Sequence, residues 1–200
     1  MEKGIFITAT GTDTGKTYVS ALLVKKMLDE GVNCKYYKPV LSGAEVSPSD
    51  CEYVQKTSGA ETYCTYSFEP AVSPHLAARL AEIKIKKEKI KEDFCRLSNN
   101  SDYVVVEGAG GIVTPLGENL MLTDIIKTLG LNIIIVADAG LGAINASVLT
   151  AEYAEKHGIK TEGIILNRYD ENNFMHRDNR VQIEKLSGIK VIKCVGLKEI

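Results

Sequence analysis

Short runs of apolar, β-branched residues alternate along the chain with longer stretches whose composition suits helices. The runs lie at residues 5–8, 34–38, 103–107, 133–138, 162–166 and 191–195. Such alternation is typical of a parallel sheet, because parallel strands need a crossover connection between them. Residues 133–137 are apolar without interruption, which indicates a central strand covered on both faces. We therefore predict an α/β fold with a mostly parallel central sheet and helices on both faces.

The composition indicates one domain that covers residues 1–200. Hydrophobic residues make up 44% of the chain and charged residues 25%, with no internal repeat or Pro/Gly/Ser-rich linker. The net charge of −2 provides no broad attraction to nucleic acid or anionic lipid, so neither is expected as a partner. Five cysteines without a CxxC pair indicate reduced thiols, and no apolar stretch reaches the length of a signal core or membrane span. We therefore expect a cytoplasmic protein.

A glycine-containing segment, Thr-Gly-Thr-Asp-Thr-Gly-Lys-Thr at residues 10–17, joins the first predicted strand to an apolar helix. In a phosphate loop, backbone amides converge on phosphate at a helix N-terminus, where Lys16 would reach the β- and γ-oxygens and Thr17 would ligate magnesium. The usual spacing puts the first glycine at position 10, whereas here it is Gly11. We predict a nucleotide-binding P-loop, and the alternative is a turn before a Thr-capped helix.

Charged residues end two further predicted strands. Ligands of open parallel sheets bind beyond the carboxyl ends of the strands, where Lys38 and Glu107 lie. A carboxylate at the end of a buried strand needs a partner, and magnesium beside phosphates is a natural one. Lys38 has the alternative of a lysine extending from a strand end to solvent. Asp50 has the alternative of simply starting a helix, because Ser and Asp favour helix N-termini.

The loops after the later strands remain open to two interpretations. Residues 140–145 open a helix and offer free amides to an anion, or form a plain strand-to-helix turn. Residues 167–170, Asn-Arg-Tyr-Asp, loosely resemble a guanine-reading motif with Arg168 in place of lysine. Asp170 is equally explained as a turn residue.

Six segments, taken together and in this order, resemble the dethiobiotin synthase family of P-loop enzymes. Related P-loop amidoligases share the glycine loop and the strand-end glutamate, whereas the second and fourth segments in combination are quite specific to this family. The segments are Gly11-Thr-Asp-Thr-Gly-Lys-Thr17, Tyr37-Lys-Pro-Val-Leu-Ser-Gly43, Ser49-Asp50, Ser73-Pro-His75, Val106-Glu-Gly-Ala-Gly-Gly111 and Gly140-Leu-Gly-Ala-Ile-Asn145.

The resemblance implies a homodimer that binds 7,8-diaminononanoate, carbon dioxide and Mg-ATP and produces dethiobiotin, ADP and phosphate in biotin biosynthesis. A carbamate oxygen leaves poorly, so the γ-phosphoryl group is transferred to it before the neighbouring amine closes the ring. Such a transfer depends on positioning and charge neutralisation more than on covalent help from the protein, which suits a site of lysines and magnesium.

The resemblance also implies the roles of individual residues. Lys16 and Lys38 are the catalytic residues: Lys16 stabilises the transferring phosphoryl group, and Lys38 contacts the carbamate together with Ser42. Thr17, Asp50 and Glu107 hold magnesium directly or through water. Nucleotide binding is implied for Asp13, Thr14, Gly15, Lys16, Thr17, Tyr18, Asp50, Glu107, Gly108, Ala109, Gly110 and Asn167. Substrate binding is implied for Thr12, Ser42, Gly111, Val113 and, across the dimer interface, Gly142 and Asn145.

Three positions depart from the family pattern. Asp13 stands where glutamate is common, and Asn179 stands where relatives place a tyrosine on the helix that faces the partner subunit. The chain stops at Ile200, without the proline-containing loop and final helix that enclose adenine in many relatives. Nucleotide selectivity would then rest mainly on Asn167. We therefore expect ATP, GTP and CTP to be used within roughly tenfold of one another.

Two other classes of protein compete with this interpretation. A cobyrinate-type amidoligase of the same P-loop branch normally carries a glutaminase domain with a nucleophilic cysteine, for which no room remains in the chain. A partitioning or switch ATPase is expected to carry an additional lysine early in the phosphate loop, where Gly11 stands, and often a basic amphipathic tail.

Overall fold

The computed structural model of the chain describes residues 3–196. The strands, numbered β1 to β9 in chain order, are Gly4–Ala9, Cys34–Ser42, Thr62–Phe68, Tyr103–Glu107, Pro115–Gly117, Leu120–Met121, Ile133–Asp138, Thr161–Asn167 and Val191–Val195. The helices, numbered α1 to α7 in chain order, are Lys16–Asp29, Asp50–Ser58, Pro74–Leu80, Lys87–Asn99, Leu122–Leu129, Ala143–Lys156 and Phe174–Ser187.

Seven of the strands form one sheet in the order β3-β2-β4-β1-β7-β8-β9, and each neighbouring pair is parallel. Strands β5 and β6 pair antiparallel in a separate two-stranded ribbon. The α/β fold with a mostly parallel sheet is therefore confirmed. Strand β7, which we expected to be central, lies between β1 and β8, next to the middle strand of the sheet.

The sequence analysis missed strand β3 and the ribbon of β5 and β6. Strand β3 lies at the edge of the sheet, and only its last residue, Phe68, is fully buried. Its sequence, TYCTYSF, mixes hydroxyl and aromatic side chains and has no apolar run. A search for buried strands by apolar runs therefore cannot detect it, because a half-covered edge strand needs no such run.

Two hydrophobic clusters occupy the two faces of the sheet. Helices α1 and α2 pack on one face, where their Val19, Val24 and Val54 contact alternate residues of β1, β2 and β4. Helices α3 to α7 contribute to the cluster on the other face, with Ile90 of α4 among its fully buried members. Successive strand side chains point to opposite faces, which accounts for this division.

The order of the strands decides where functional side chains meet. Strands β2, β4 and β1 are neighbours, and Glu107 at the end of β4 lies opposite Ile7 in the register of the β1–β4 pair. The chain segments that follow these three strands therefore leave the sheet at one edge. Since parallel strands end at the same edge, this is where a ligand of such a fold binds.

Candidate active site

The loop between β1 and α1 is held in shape by contacts from the end of β8. Gly15 has φ of 88°, and a Cβ atom there would lie 2.0 Å from Nδ2 of Asn167. That amide nitrogen donates a hydrogen bond of 2.9 Å to the backbone oxygen of Thr14. Glycine at position 15 is therefore required both by the backbone conformation and by the close approach of Asn167.

Lys16 lies across this loop rather than extending into solvent. It is buried, and its Nζ donates a hydrogen bond of 3.1 Å to the backbone oxygen of Gly11. Burial, and then the positive charge of Lys38, lower the pKa of Lys16 to about 8. In the described part of the chain no side-chain hydrogen bond caps the first turn of α1, so its amides remain available to an anion beside this lysine.

Four side chains from β2, α1, α2 and β4 converge next to the loop. Nζ of Lys38 lies 2.6 Å from Oδ2 of Asp50 and 2.7 Å from Oε1 of Glu107. Oγ1 of Thr17 lies 2.8 Å from Oδ1 of Asp50 and 2.9 Å from the same Glu107 oxygen. The structure therefore brings together residues that the sequence separates by up to 90 positions.

The charges of this cluster depend on each other. Burial by itself lowers the pKa of Lys38, but Glu107 and Asp50 outweigh that effect and raise it above its usual range. Burial likewise acts to raise the pKa of Asp50, and the ion pair and hydrogen bond with Lys38 lower it. Lys38 therefore stays protonated and Asp50 ionised at neutral pH.

Asp50 starts a helix, as one interpretation of the sequence predicted, and its carboxylate also belongs to the charged cluster. Helix α2 begins at Asp50, and Ser49 caps it through a reciprocal capping box in which its hydroxyl accepts from the amide of Glu52. The same helix start directs the Asp50 carboxylate to Lys38 and Thr17. The cap fixes the position of the first helical residue and therefore the position of this carboxylate.

Tyr36 also belongs to this network, and sequence reasoning missed it. Its hydroxyl donates a hydrogen bond of 2.9 Å to Oε2 of Glu107, the oxygen that Lys38 and Thr17 do not contact. Burial and the neighbouring Glu107 raise the pKa of Tyr36 well above its usual value, so its hydroxyl remains a donor. The spacing Tyr-x-Lys along a strand could have indicated that both residues face the same side.

A cleft of about 950 Å³ opens beside the cluster. It brings together the predicted residues Thr12, Asp13, Gly15, Lys16, Thr17, Lys38, Ser42, Asp50, Glu107, Ala109, Gly110 and Val113. Ser73 and Pro74 of the predicted Ser-Pro-His segment line it as well. The predicted residues outside the lining of this cleft are Thr14, Tyr18, Gly108, Gly111, Gly142, Asn145 and Asn167.

Some of these outer residues nevertheless support the cleft or reach its surroundings. Gly108 accepts a hydrogen bond of 3.1 Å from Lys38, and a Cβ atom at Gly111 would lie 3.3 Å from the backbone oxygen of Ala9. The Tyr18 hydroxyl lies 3.3 Å from the backbone oxygen of Gly196.

The expectation about the chain end falls on residues 197–200, which lie outside the described part of the chain.

The end of β8 carries two polar side chains that face the phosphate loop. Oδ1 of Asn167 is buried and, within residues 3–196, has no hydrogen-bond partner. It is therefore able to accept a hydrogen bond from a ligand. Arg168 donates from Nη2 to the backbone oxygen of Asp13 at 2.7 Å and pairs through Nη1 with Asp138. Arg168, which the sequence offers only as a departure from a guanine-reading motif, therefore braces the loop.

Asn179 is turned inward rather than towards a second subunit. Its side chain is buried, and Nδ2 donates to the backbone oxygens of Ala139 at 2.8 Å and Gly140 at 2.9 Å. It therefore supports the loop before α6 from within the domain. Asn145, by contrast, is exposed in the first turn of α6.

The phosphate loop, the strand order and the cleft at the carboxyl edge define a P-loop nucleoside triphosphatase fold. A ParA family ATPase from Chlorobium tepidum TLS has a similar fold, with a TM-score of 0.62 and 15% identity over 100% of this chain and 86% of that chain. The MinC:MinD cell division protein complex of Aquifex aeolicus gives a TM-score of 0.66 and 14% identity over 98% and 82%. At these identities the likeness shows the fold alone.

Sequence relatives identify the family within this class. A family model described as an AAA domain matches residues 3–199. An ATP-dependent dethiobiotin synthetase from Clostridium botulinum (strain Alaska E43 / Type E3) is 49% identical, over 97% of this chain and 91% of the relative. Another from Clostridium perfringens (strain 13 / Type A) is 45% identical, over 98% and 91%. The chain belongs to the family of ATP-dependent dethiobiotin synthetases, ligases that bind ATP, which confirms the predicted family.

Within residues 3–196 there is neither a membrane-spanning helix nor a preformed cluster of metal-binding side chains. No helix in this part of the chain is long and apolar enough to cross a bilayer. Nor does it contain a group of three or more His, Cys, Asp and Glu side chains suited to holding a metal ion. The carboxylates of Asp50 and Glu107 and the Thr17 hydroxyl lie together in the cleft, and oxygens of these kinds could hold a hard cation.

Because the pKa of Lys16 is about 8 before nucleotide binds, we predict that Mg-ATP binding near pH 8.5 takes up about three quarters of a proton per site. The added phosphate charge raises the pKa again, so a lysine that is partly neutral becomes protonated. Calorimetry in buffers of different ionisation heat measures this uptake, which should fall towards zero near pH 6.5. Lys25→Met, at an exposed position of the same helix, should leave it unchanged. Binding without uptake at pH 8.5 would show that Lys16 is already fully charged.

Proposed function

We propose that the protein is a dethiobiotin synthase that uses ATP and magnesium to close a ureido ring from 7,8-diaminononanoate and carbon dioxide. The products are dethiobiotin, ADP and phosphate. The observation that carries the proposal is the cluster of Lys38, Asp50, Glu107 and Thr17, joined by contacts of 2.6 to 2.9 Å beside the phosphate loop. Family membership supports the same activity, because the relatives carry the name ATP-dependent dethiobiotin synthetase.

The donor atoms around Thr17 fit magnesium. Carboxylate and hydroxyl oxygens are the ligands that a hard cation prefers, and Mg²⁺ usually takes only one or two carboxylates beside phosphate oxygens and water. Asp50 and Glu107 supply two carboxylates, and Thr17 lies within 2.9 Å of both. When bound there, magnesium would neutralise charge on the phosphates and orient them.

Lys16 and Lys38 serve the two steps of the reaction at neighbouring positions. Lys16 contacts the γ-phosphoryl group of ATP as its bond to ADP breaks and a bond to the carbamate oxygen forms. Lys38 and Ser42 orient the carbamate, and both line the same cleft as Lys16. The second amine then attacks the carbonyl carbon, phosphate leaves, and the amine loses a proton. Each lysine offsets negative charge that develops during transfer.

The remaining binding residues are those that the resemblance to the family implies. Asp13, Thr14, Gly15 and the loop of residues 108–110 surround the phosphates, and Tyr18 and Asn167 lie towards the base. Oδ1 of Asn167 can accept a hydrogen bond from an exocyclic amino group, because it is buried and lacks a partner within residues 3–196. Thr12, Gly111 and Val113 line the path of the diamine.

A second copy of the chain completes the diamine site in this proposal. Leu141, Asn145 and Leu149 follow each other at intervals of four residues, and the two leucines are 94% and 57% exposed. Leu141 lies in the turn before α6, and Asn145 and Leu149 lie one turn apart on that helix. Large apolar side chains that are exposed together are typical of an interface. Asn145 lies between them, beside Gly142 at the positive end of α6. The distal carboxylate of the diamine would bind there across a homodimer.

Phosphate release that requires diaminononanoate and carbon dioxide tests the proposed activity. We predict that Lys16→Ala lowers this rate by roughly a thousandfold, because it removes a cation from developing phosphoryl charge. Lys25→Ala, on the same helix but exposed, should stay within about twofold of the wild type. Phosphate release from ATP alone, unchanged by the diamine, would contradict the proposal.

Asp50→Asn and Glu107→Gln should each raise the magnesium concentration for half-maximal activity by at least roughly tenfold, because they keep the shape of the side chain and remove the charge that a hard cation prefers. The KM for the diamine should change by less than about threefold. Asp29→Asn, an exposed carboxylate at the end of α1, is the control. If the magnesium titration is unchanged, Asp50 and Glu107 act only through the helix start and Lys38.

Mixed dimers test the shared site. We predict that Asn145→Ala raises the KM for the diamine without changing nucleotide affinity, because its contact is with the distal carboxylate. Lys38→Ala alone should be inactive. Mixing Asn145→Ala subunits with Lys38→Ala subunits should restore one intact site in each heterodimer, so that the active half of the sites regains the wild-type KM for the diamine. No recovery in purified heterodimers would show that each site is built from one chain.

A further inference from the structure

Tyr36 contacts the centre of the site but has no role in the function proposed above. It is fully buried in β2, and its hydroxyl donates to Oε2 of Glu107 at 2.9 Å. The other oxygen of that carboxylate, Oε1, receives Lys38 at 2.7 Å and Thr17 at 2.9 Å. Glu107 is completely buried, so both of its oxygens depend on protein donors rather than on water.

The strand geometry places Tyr36 and Lys38 side by side on Glu107. They lie two positions apart in β2 and therefore point to the same face of the sheet. In the pairing of β2 with β4, Tyr36 is opposite Val105 and Tyr37 is opposite Val106, so Lys38 comes next to Glu107. The intervening Tyr37 belongs to the hydrophobic cluster on the other face.

The Tyr36 hydroxyl determines which edge of the carboxylate faces the ligands. A carboxylate can rotate about its last side-chain bond, and this torsion is broad and weakly restricted. A donor on Oε2 removes that freedom and leaves Oε1 next to Thr17 and Asp50. Without the hydroxyl, Oε2 would be a buried acceptor without a donor, and a rotation that shares Lys38 between both oxygens would relieve this cost.

We propose that Tyr36 is a positioning residue that holds Oε1 of Glu107 in register with Thr17 and Asp50, so that the three form one cation-binding edge. This inference rests on the proposed function, since it assigns Tyr36 to the magnesium site of that reaction. Tyr36 itself contacts neither the substrate nor the cation. Its effect should therefore appear in cation affinity and not in diamine binding.

Tyr36→Phe tests the role, because it removes the hydroxyl and keeps the buried ring. Tyr37→Phe is the matched control: it also removes a buried tyrosine hydroxyl, which in this case contacts Thr65 and the backbone oxygen of Ile90. Mn²⁺ replaces Mg²⁺ as the probe, and its binding to each protein with ADP is measured by electron paramagnetic resonance. Thermal unfolding and the KM for the diamine are measured in parallel.

We expect Tyr36→Phe to weaken Mn²⁺ binding, and to raise the magnesium requirement of the reaction, by roughly tenfold, as suits the loss of one hydrogen bond to a charged group. The KM for the diamine should stay within about twofold. Tyr37→Phe should lose similar thermal stability but bind Mn²⁺ like the wild type. Equal Mn²⁺ affinity in Tyr36→Phe and the wild type, or an equal loss in both variants, would overturn the inference.

Glu107→Gln separates this inference from the proposed function. If Glu107→Gln weakens Mn²⁺ binding and Tyr36→Phe does not, the metal site is correct and the role of Tyr36 is wrong. If neither Glu107→Gln nor Asp50→Asn changes Mn²⁺ binding, the magnesium assignment fails, and the role of Tyr36 fails with it. A weaker Mn²⁺ affinity in both Glu107→Gln and Tyr36→Phe supports both.

Discussion

The site depends on the buried ammonium group of Lys38 and the two carboxylates that it contacts. Removing charged groups from water costs free energy. This cost is recovered only where the charges are paired at short distance and their remaining donors and acceptors form hydrogen bonds. Here Lys38 contacts Asp50, Glu107 and the backbone oxygen of Gly108, while Thr17 contacts both carboxylates. The network joins two strands and two helices, so each element's place at the edge of the sheet depends on the others.

The phosphate loop is supported from the opposite side of the cleft. Asn167 and Arg168 at the end of β8 contact the backbone oxygens of Thr14 and Asp13, and the partner of Arg168 is Asp138 at the end of β7. Asn179 of α7 in turn holds the backbone just beyond Asp138. The loop between β1 and α1 is therefore braced by three elements that follow it by more than a hundred residues. A pre-organised site of this kind orders few groups when its ligand binds.

Sequence reasoning predicted the parts of the fold and site that have local causes. The P-loop at residues 10–17 is set by its own glycine and its strand-to-helix context, and Lys38 and Glu107 were found because each follows an apolar run. Glu107 does end its strand, whereas the predicted end at Lys38 is wrong, because β2 continues to Ser42. The partners Tyr36, Arg168 and Asn179 were not predicted as such, because their contacts depend on which strands are neighbours. Strand order depends on the whole chain, whereas hydrophobic periodicity predicts only local secondary structure. The edge strand β3 was not predicted either, because most of its residues are only partly buried and form no apolar run.

In many metal-binding domains the affinity for the ion and the stability of the fold depend on each other. The internal ion pairs of Lys38 separate these two quantities. In a zinc finger the liganding groups repel one another until the ion arrives, so metal binding supplies the folding free energy. Here a lysine of the same chain lies within 2.7 Å of both Asp50 and Glu107 and already offsets part of their negative charge. Chelators should therefore leave the folded domain intact. The affinity for the proposed magnesium ion could then change over evolutionary time without an equal change in the thermal stability of the polypeptide.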